Sequence, residues 1–165
     1  MEQETLTIRP AELMDGDAVW AVLEPVIRGG ETYTLPNDAD RSDALAYWFD
    51  ERHEVFVALV ENEVVGTYYL KANQPGGGAH VANSGYVTAP WATGRGIARS
   101  MFDHSLQRAR QRGFRAMQFN FVISSNERAV KLWQRNGFEI VGTLPGAFLH
   151  PKLGYVEAYV MFRSL

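Results

Sequence analysis

The chain of 165 residues contains no cysteine. That excludes disulfides, thiolate metal sites and cysteine nucleophiles together, and it fits a reducing compartment. No apolar run approaches the roughly 18 residues that a bilayer crossing requires. The opening MEQETLTIRP has neither the basic segment nor the apolar run of a secretory leader. The expectation is a soluble, cytoplasmic protein. An excess of positive charge is missing too. A formal net charge of −3 argues against nucleic acid or a membrane surface as the main partner, because polyanion binding needs a clustered basic face. Arg95, Arg99, Arg108, Arg110, Arg112 and Arg115 form a local exception. No internal repeat, low-complexity tract or linker interrupts the chain. With 46% apolar residues, enough for one core, residues 1–165 are expected to form a single domain.

What is present is an ordered succession of strand and helix patterns. Residues 5–9 alternate apolar and polar side chains as a half-buried strand does, and Pro10 ends the run. Leu13, Val19 or Trp20, Leu23 and Ile27 recur at helical spacing, and Gly29 and Gly30 break that helix. A polar and aromatic loop, GGETYTLPND, follows. Leu45, Trp48 and Phe49 mark a second helix over residues 41–51. VFVALV and VVGTYYL, separated by Glu61, Asn62 and Glu63, predict a hairpin. PGGG is a flexible connection, and a strand over residues 80–88 follows it. A long amphipathic helix carries Ile97, Met101, Leu106 and Ala109 on one side. Then come a strand, AMQFNFVI, and a helix that starts near Ser125 or Asn126, turns Ala129, Val130, Leu132 and Trp133 inward and stops at Gly137. Strands over 138–143 and 155–162 are joined by a loop, LPGAFLHPKLG. This order predicts an α/β chain of the α+β kind, with a mixed, mostly antiparallel sheet, helices on both faces and one right-handed parallel crossover.

The crossover frames the stretch that organises the rest, YVTAPWATGRGIARS. A strand stopped by Pro90, then Gly94 and Gly96, then a helix, presents unpaired N–H groups at a helix N-terminus, which suits a phosphate-bearing ligand. Such a turn also occurs for tight packing alone. A dinucleotide fingerprint would want Gly or Ala where Arg99 stands, and an acidic residue ending the next strand; AMQFNFVI has none. A P-loop would want Lys followed by Ser or Thr, which is also missing.

A second motif narrows the reading. NERAVKLWQRNGF lies about thirty residues beyond the glycines on the next helix. TGRGIA together with NxxAxxLWxxxGF resembles the GNAT superfamily of acetyl-CoA-dependent N-acetyltransferases, and IRPA at the start resembles that family's first strand. The resemblance covers essentially the whole chain. It implies a GNAT-like sheet of about seven strands and acetyl-CoA as co-substrate, with no metal, and transfer of the acetyl group by direct attack of an amine. It also implies a pyrophosphate cradle of Thr93, Gly94, Arg95, Gly96, Ala98 and Arg99, pairing of Val87 and Thr88 with the pantetheine, and contact of Asn126 with the CoA arm. Thr93 stands where the family's loop most often has Gln or Arg, which leaves the work there to backbone donors. Trp133 stands where many members carry a tyrosine that protonates the departing thiolate. Indole N–H is a donor and no usable acid, so Trp133 receives no catalytic role.

FNFVISSN, the LWxxxGF run, GTLPGAF and GYVEAYVM are similar in detail to the family's yeast proline-analogue (azetidine-2-carboxylate) acetyltransferases, in which an asparagine at the matching strand position is important for catalysis. The resemblance carries that role to Asn120, against the competing reading of a buried amide satisfied by backbone. Glu31 and Tyr33, in the loop after the first helix, are candidates to reach the amine or else are merely exposed. His80 and His150 are candidate proton relays, with a structural or solvated role as the competitor. His53 and His104 read as surface residues. No spacing of His, Asp and Glu recommends a metal. Deprotonating a lysine-like amine of pKa about 10.4 at neutral pH costs roughly 4.6 kcal/mol, and an α-amino group of about 7.7 only about 1, so a base or relaying water is expected for the first and barely for the second. The expected acceptor is a small amine or amino-acid-like molecule. Protein N-termini or lysines, and acyl-CoA sensing without turnover, are the alternatives. Dimers are common in the family, so the region around His150 and the final strand is a candidate subunit contact in a homodimer.

Overall fold

The computed structural model describes residues 5–165. Residues 1–4, on which the reading against a leader segment partly rests, lie outside the described residues. The elements run β1 (Leu6–Pro10), a 3-10 turn (Leu13–Asp15), α1 (Gly16–Gly29), α2 (Arg41–Trp48), β2 (Glu54–Val60), β3 (Glu63–Ala72), β4 (Val81–Thr88), α3 (Ile97–Gln111), β5 (Ala116–Ile123), α4 (Glu127–Arg135), β6 (Glu139–His150) and β7 (Gly154–Ser164). The seven strands form one sheet in the order β1-β2-β3-β4-β5-β7-β6. Every neighbouring pair is antiparallel except β4 and β5. That is the mixed α/β architecture the residue pattern predicts, with its single parallel pair on either side of the glycine turn. No helix among the described residues is long and apolar enough to cross a membrane.

Ile97, Met101, Phe102, Leu106 and Ala109 of α3 are buried against the sheet. Gly66 lets the helix approach: a Cβ there would lie 3.0 Å from the Met101 side chain. Phe102, Phe119, Trp133 and Phe138 form an aromatic core with Tyr86, the Phe119 and Phe138 rings stacked at 4.5 Å. On α1 and α2, Val19, Leu23, Ile27 and Trp48 are buried. The Trp48 indole N–H donates to Thr67 Oγ1 at 3.0 Å, and that hydroxyl donates to the Phe56 carbonyl, so burial leaves neither the indole N–H nor the Thr67 hydroxyl unpaired. A bidentate Arg9–Asp15 pair fastens β1 to the start of α1.

Four local expectations need correction. The segment LPGAFLHPKLG, expected as a loop, mostly extends β6, which pairs with β7 as far as His150 and Gly154. Pro145 and Gly146 look like turn residues, but β6 is the sheet edge. There a missing proline donor costs no ladder bond, and a register shift between Leu144 and Phe148 absorbs the irregular backbone. PGGG is not slack chain, because Gly76–Gly78 forms a 3-10 turn. Of the residues of α4 expected inward, only Trp133 is fully buried; Ala129, Val130 and Leu132 are half-buried at the rim of the core. His53 and His104 are half-buried rather than freely exposed. The His53 ring stacks on Tyr69 at 4.1 Å and His104 Nδ1 sits 2.6 Å from the Tyr68 hydroxyl.

Candidate functional site

The parallel ladder between β4 and β5 holds only Val81 opposite Ala116 and Ala82 opposite Met117. Beyond those pairs the two strands part. Asn83 marks the parting, its side-chain N–H donating across to the Gln118 carbonyl at 2.9 Å.

Register decides which backbone groups face the opening. The bonds Asn73 N–H to Val81 O and Ala89 N–H to Val65 O bracket the β3–β4 ladder. Hydrogen-bonded pairs alternate in an antiparallel ladder, so Val87 spends its own N–H and C=O on Thr67. The groups of Ser84, Tyr86 and Thr88 point the other way, into the gap. Of the two residues expected to pair with a pantetheine arm, Thr88 therefore presents its backbone to the open edge and Val87 does not. Sequence reasoning missed Ser84, although strand parity counted from Pro90 would have flagged it.

At the wide end of the gap lies the N-terminus of α3. Gly94 and Gly96 sit at φ 79 and 76, in the left-handed region. A Cβ at either would meet nothing within 4 Å, so the torsion and not crowding demands glycine. The first intrahelical acceptor, Gly96 C=O, takes the Ser100 N–H, which leaves the N–H groups of Ile97, Ala98 and Arg99 without helical partners. Residues 93–96 are exposed. Thr93 Oγ1 donates to Pro90 C=O at 3.2 Å, which braces the turn. Arg99 is exposed in the first helical turn and pairs through Nε with Asp103 at 2.9 Å. Asn126 caps α4, its Oδ1 accepting the Ala129 N–H at 3.4 Å. At the other end of α4, Gly137 N–H bonds Gln134 O and Phe138 N–H bonds Trp133 O, a Schellman cap that fixes the inward aim of Trp133.

The remaining candidates separate. Arg28 donates to the Asn37 and Ala39 carbonyls and so shapes the α1–α2 loop. From that loop Tyr33 reaches β4, its hydroxyl donating to the Tyr86 carbonyl at 3.2 Å. Burial, then the neighbouring Tyr47 and Tyr86, push the Tyr33 hydroxyl far above the ordinary phenol range, so it stays a donor and cannot serve as a base. Glu31 is half-exposed and lies 3.5 Å from Lys152, which ties the α1–α2 loop to the β6–β7 turn. Asn120 is not the buried amide that its apolar neighbours suggest. A bulge between Phe119 and Val122 breaks the β5–β7 register and leaves Asn120 exposed, its amide bonded to Asn73 and Gln118.

His150 Nδ1 accepts the N–H groups of Lys152 and Leu153, both at 3.1 Å, which commits it to the hairpin turn and puts the ring proton of the neutral form on Nε2. His80 precedes β4 at its paired end, about 20 Å along the strand from Tyr86. Neither is placed as a relay at the open edge. The Tyr86 hydroxyl lies 2.6 Å from Ser105 Oγ and is pushed up to about 12 by burial. Among the described residues, no three His, Asp or Glu side chains gather as a metal site requires.

A split parallel pair with an open backbone edge, leading to a helix N-terminus with two left-handed glycines, can hold an extended ligand that ends in an anion. Comparisons with known proteins agree with this geometry. Residues 23–138 match the model of the acetyltransferase (GNAT) family. N-acetyltransferase aca1 of Schizosaccharomyces pombe is 29% identical over 152 residues, covering 81% of this chain and 72% of that one. A GCN5-related N-acetyltransferase from Kribbella flavida superposes with a TM-score of 0.92 at 38% identity, over 97% of this chain and 98% of its own. The acetyltransferase yncA of Salmonella typhimurium, solved with acetyl-CoA, shares the fold at a TM-score of 0.84 and 20% identity, over 98% of this chain and 94% of its own.

Proposed function

Because the chain belongs to the acetyltransferase (GNAT) family, we propose that it transfers an acetyl group from acetyl-CoA to the amine of a small, amino-acid-like acceptor, with residues 1–165 acting as one acyl-CoA-binding domain. The observation that carries this reading is the loss of β4–β5 pairing after Ala82 and Met117, beside the bare first turn of α3. The opened backbone of Ser84, Tyr86 and Thr88 receives the pantetheine amides as an added strand would. The turn of Gly94, Arg95 and Gly96, with the N–H groups of Ala98 and Arg99 in the positive end of the helix field, receives the pyrophosphate. Thr93 shapes that turn, and Asn126 lies at the start of the neighbouring helix for the CoA arm.

In the reaction the amine nitrogen bonds to the acetyl carbon, the C–S bond breaks and CoA leaves as thiolate, while the surplus ammonium proton passes to water. The tetrahedral oxyanion needs donors, each worth about 3 kcal/mol, and the Tyr86 N–H, turned into the gap, is the backbone group at hand. Trp133 is enclosed by Phe102, Phe119 and Phe138 and supplies no acid, so the thiolate leaves unassisted or with water. Asn120, Tyr33 and Glu31 form the acceptor side: Asn120 accepts an amine N–H, Tyr33 holds the Tyr86 carbonyl, and Glu31 sits at the mouth with Lys152.

The test is release of free thiol from acetyl-CoA against amino acids, imino acids, alkyl amines and a short peptide. Saturable turnover with the first two classes is expected. Turnover with the peptide alone would make this a protein acetyltransferase, and saturable CoA binding without turnover for any acceptor would make it an acyl-CoA sensor.

A further inference from the structure

Four side-chain amides gather where β4 and β5 part, and one direction of donation runs through three of them. Gln118 Nε2 donates to Asn120 Oδ1 at 2.9 Å, and Asn120 Nδ2 donates to Asn73 Oδ1 at 2.7 Å. Asn83 Nδ2 donates to the backbone carbonyl of Gln118 at 2.9 Å. Asn73 follows β3, Asn83 belongs to β4, and Gln118 and Asn120 belong to β5, so the amides link both strands that border the gap to the end of β3. The Gln118–Asn120 and Asn120–Asn73 bonds are solvent-exposed. An exposed hydrogen bond between neutral groups adds on the order of 1 kcal/mol or less to stability, against comparable rotamer entropy lost in Gln and Asn. Stability alone gives no reason for such a chain. Orientation does: a free asparagine amide can turn over and exchange its oxygen with its nitrogen, whereas one that accepts on one side and donates on the other cannot.

We propose that Asn73 and Gln118 are positioning residues for acyl transfer, fixing the Asn120 amide so that the open lone pair of Oδ1 accepts an N–H of the acceptor amine while the nitrogen lone pair faces the acetyl carbon. This rests on the acetyltransferase reading and on Asn120 as the group that meets the amine. Asn73 holds Asn120 Nδ2, and Gln118 holds Oδ1 on its other lone pair. The Asn83 bond fixes the Gln118 backbone at the same seam, which couples the aim of Asn120 to the width of the gap.

Shape-matched substitutions with opposite hydrogen-bonding outcomes test the direction of the chain. Asn73→Leu removes the acceptor and is expected to lower kcat/KM for the acceptor roughly tenfold while KM for acetyl-CoA stays within about twofold. Asn73→Asp keeps an acceptor oxygen and is expected to recover to within about threefold of wild type. Gln118→Glu sets oxygen against oxygen at Asn120 and is expected to match Asn73→Leu. In an Asn120→Ala background, Asn73→Leu is expected to add nothing. Thermal melts of each variant show whether the fold is intact. Wild-type kcat/KM in Asn73→Leu, equal loss in Asn73→Asp, or an unaffected Gln118→Glu overturns the proposal. If Asn120→Ala is impaired and Asn73→Leu is not, this inference alone fails. If Asn120→Ala turns over normally, or wild type turns over no acceptor, the parent reading fails and this inference with it.

Discussion

Replacing Gly96 or Gly94 by alanine isolates torsion from packing at the proposed pyrophosphate turn. Both residues are left-handed, at φ 76 and 79. A Cβ at either meets no atom within 4 Å, so no collision contributes. Holding an alanine in that region costs about 1–2 kcal/mol. The turn is exposed and the torsion is not enforced by packed neighbours, so the unliganded variant relaxes toward negative φ with little loss of melting temperature. The relaxed turn no longer aims its N–H groups together, and the ligand must restore the torsion when it binds. The cost then appears in affinity: about 1–2 kcal/mol is roughly 5- to 30-fold weaker CoA binding, read by titration calorimetry at fixed salt. Asparagine tolerates the left-handed region far better than alanine, so Gly96→Asn is expected to bind nearly as wild type. Unchanged affinity in Gly96→Ala, or an equal loss in Gly96→Asn, would refute the reasoning. Because the two glycines share one turn, the double alanine variant is expected to lose less than the sum of the singles.

Gly85→Ala should destabilise by about 1–3 kcal/mol, since its Cβ would meet the Tyr69 ring 2.7 Å away; chemical denaturation reads it, and Tyr69→Leu in the same chain should restore part of the loss. Trp133→Ala should cost about 3–5 kcal/mol by opening a cavity beneath Tyr86 and Phe102, while Trp133→Phe should keep the melting temperature within a few degrees and kcat near wild type; a large fall in kcat there, with stability intact, would assign the indole a chemical role. Burial, followed for His104 by the Arg108 charge, holds the imidazoles of His53 and His104 below the usual histidine range. The unfolded chain therefore takes up protons before the folded one does, and stability is full above the unfolded value and drains away as the pH falls through the folded values. Melting temperatures should thus drop between about pH 7 and pH 5, and a His53→Asn/His104→Asn variant should show a shallower drop; an unchanged slope would contradict the assignment.

Local chemistry carried most of the architecture. Apolar period set each element, Gly30 and Gly137 stopped helices in the left-handed region, and AMQFNFVI appeared as a strand with the same bounds in sequence and structure. The turn around Gly94 and Gly96 was legible for the same reason, since a torsion that only glycine adopts easily leaves its mark on the residue type. Misreadings arose where neighbours far along the chain decide. LPGAFLHPKLG has turn composition, yet pairing with β7 at a sheet edge makes most of it a strand. His53 and His104 read as polar surface until Tyr69, Phe56 and Tyr68 come to cover one side of them.

The amino-acid sequence by itself determined the element order, the glycine turn before α3 and the family, because these rest on residues close together in the chain. Tertiary structure alone decided which backbone groups face the gap, that Asn120 stands exposed on a bulge, and that Asn73 holds it. Those follow from strand register and from contacts between residues 47 positions apart, and no local pattern encodes either.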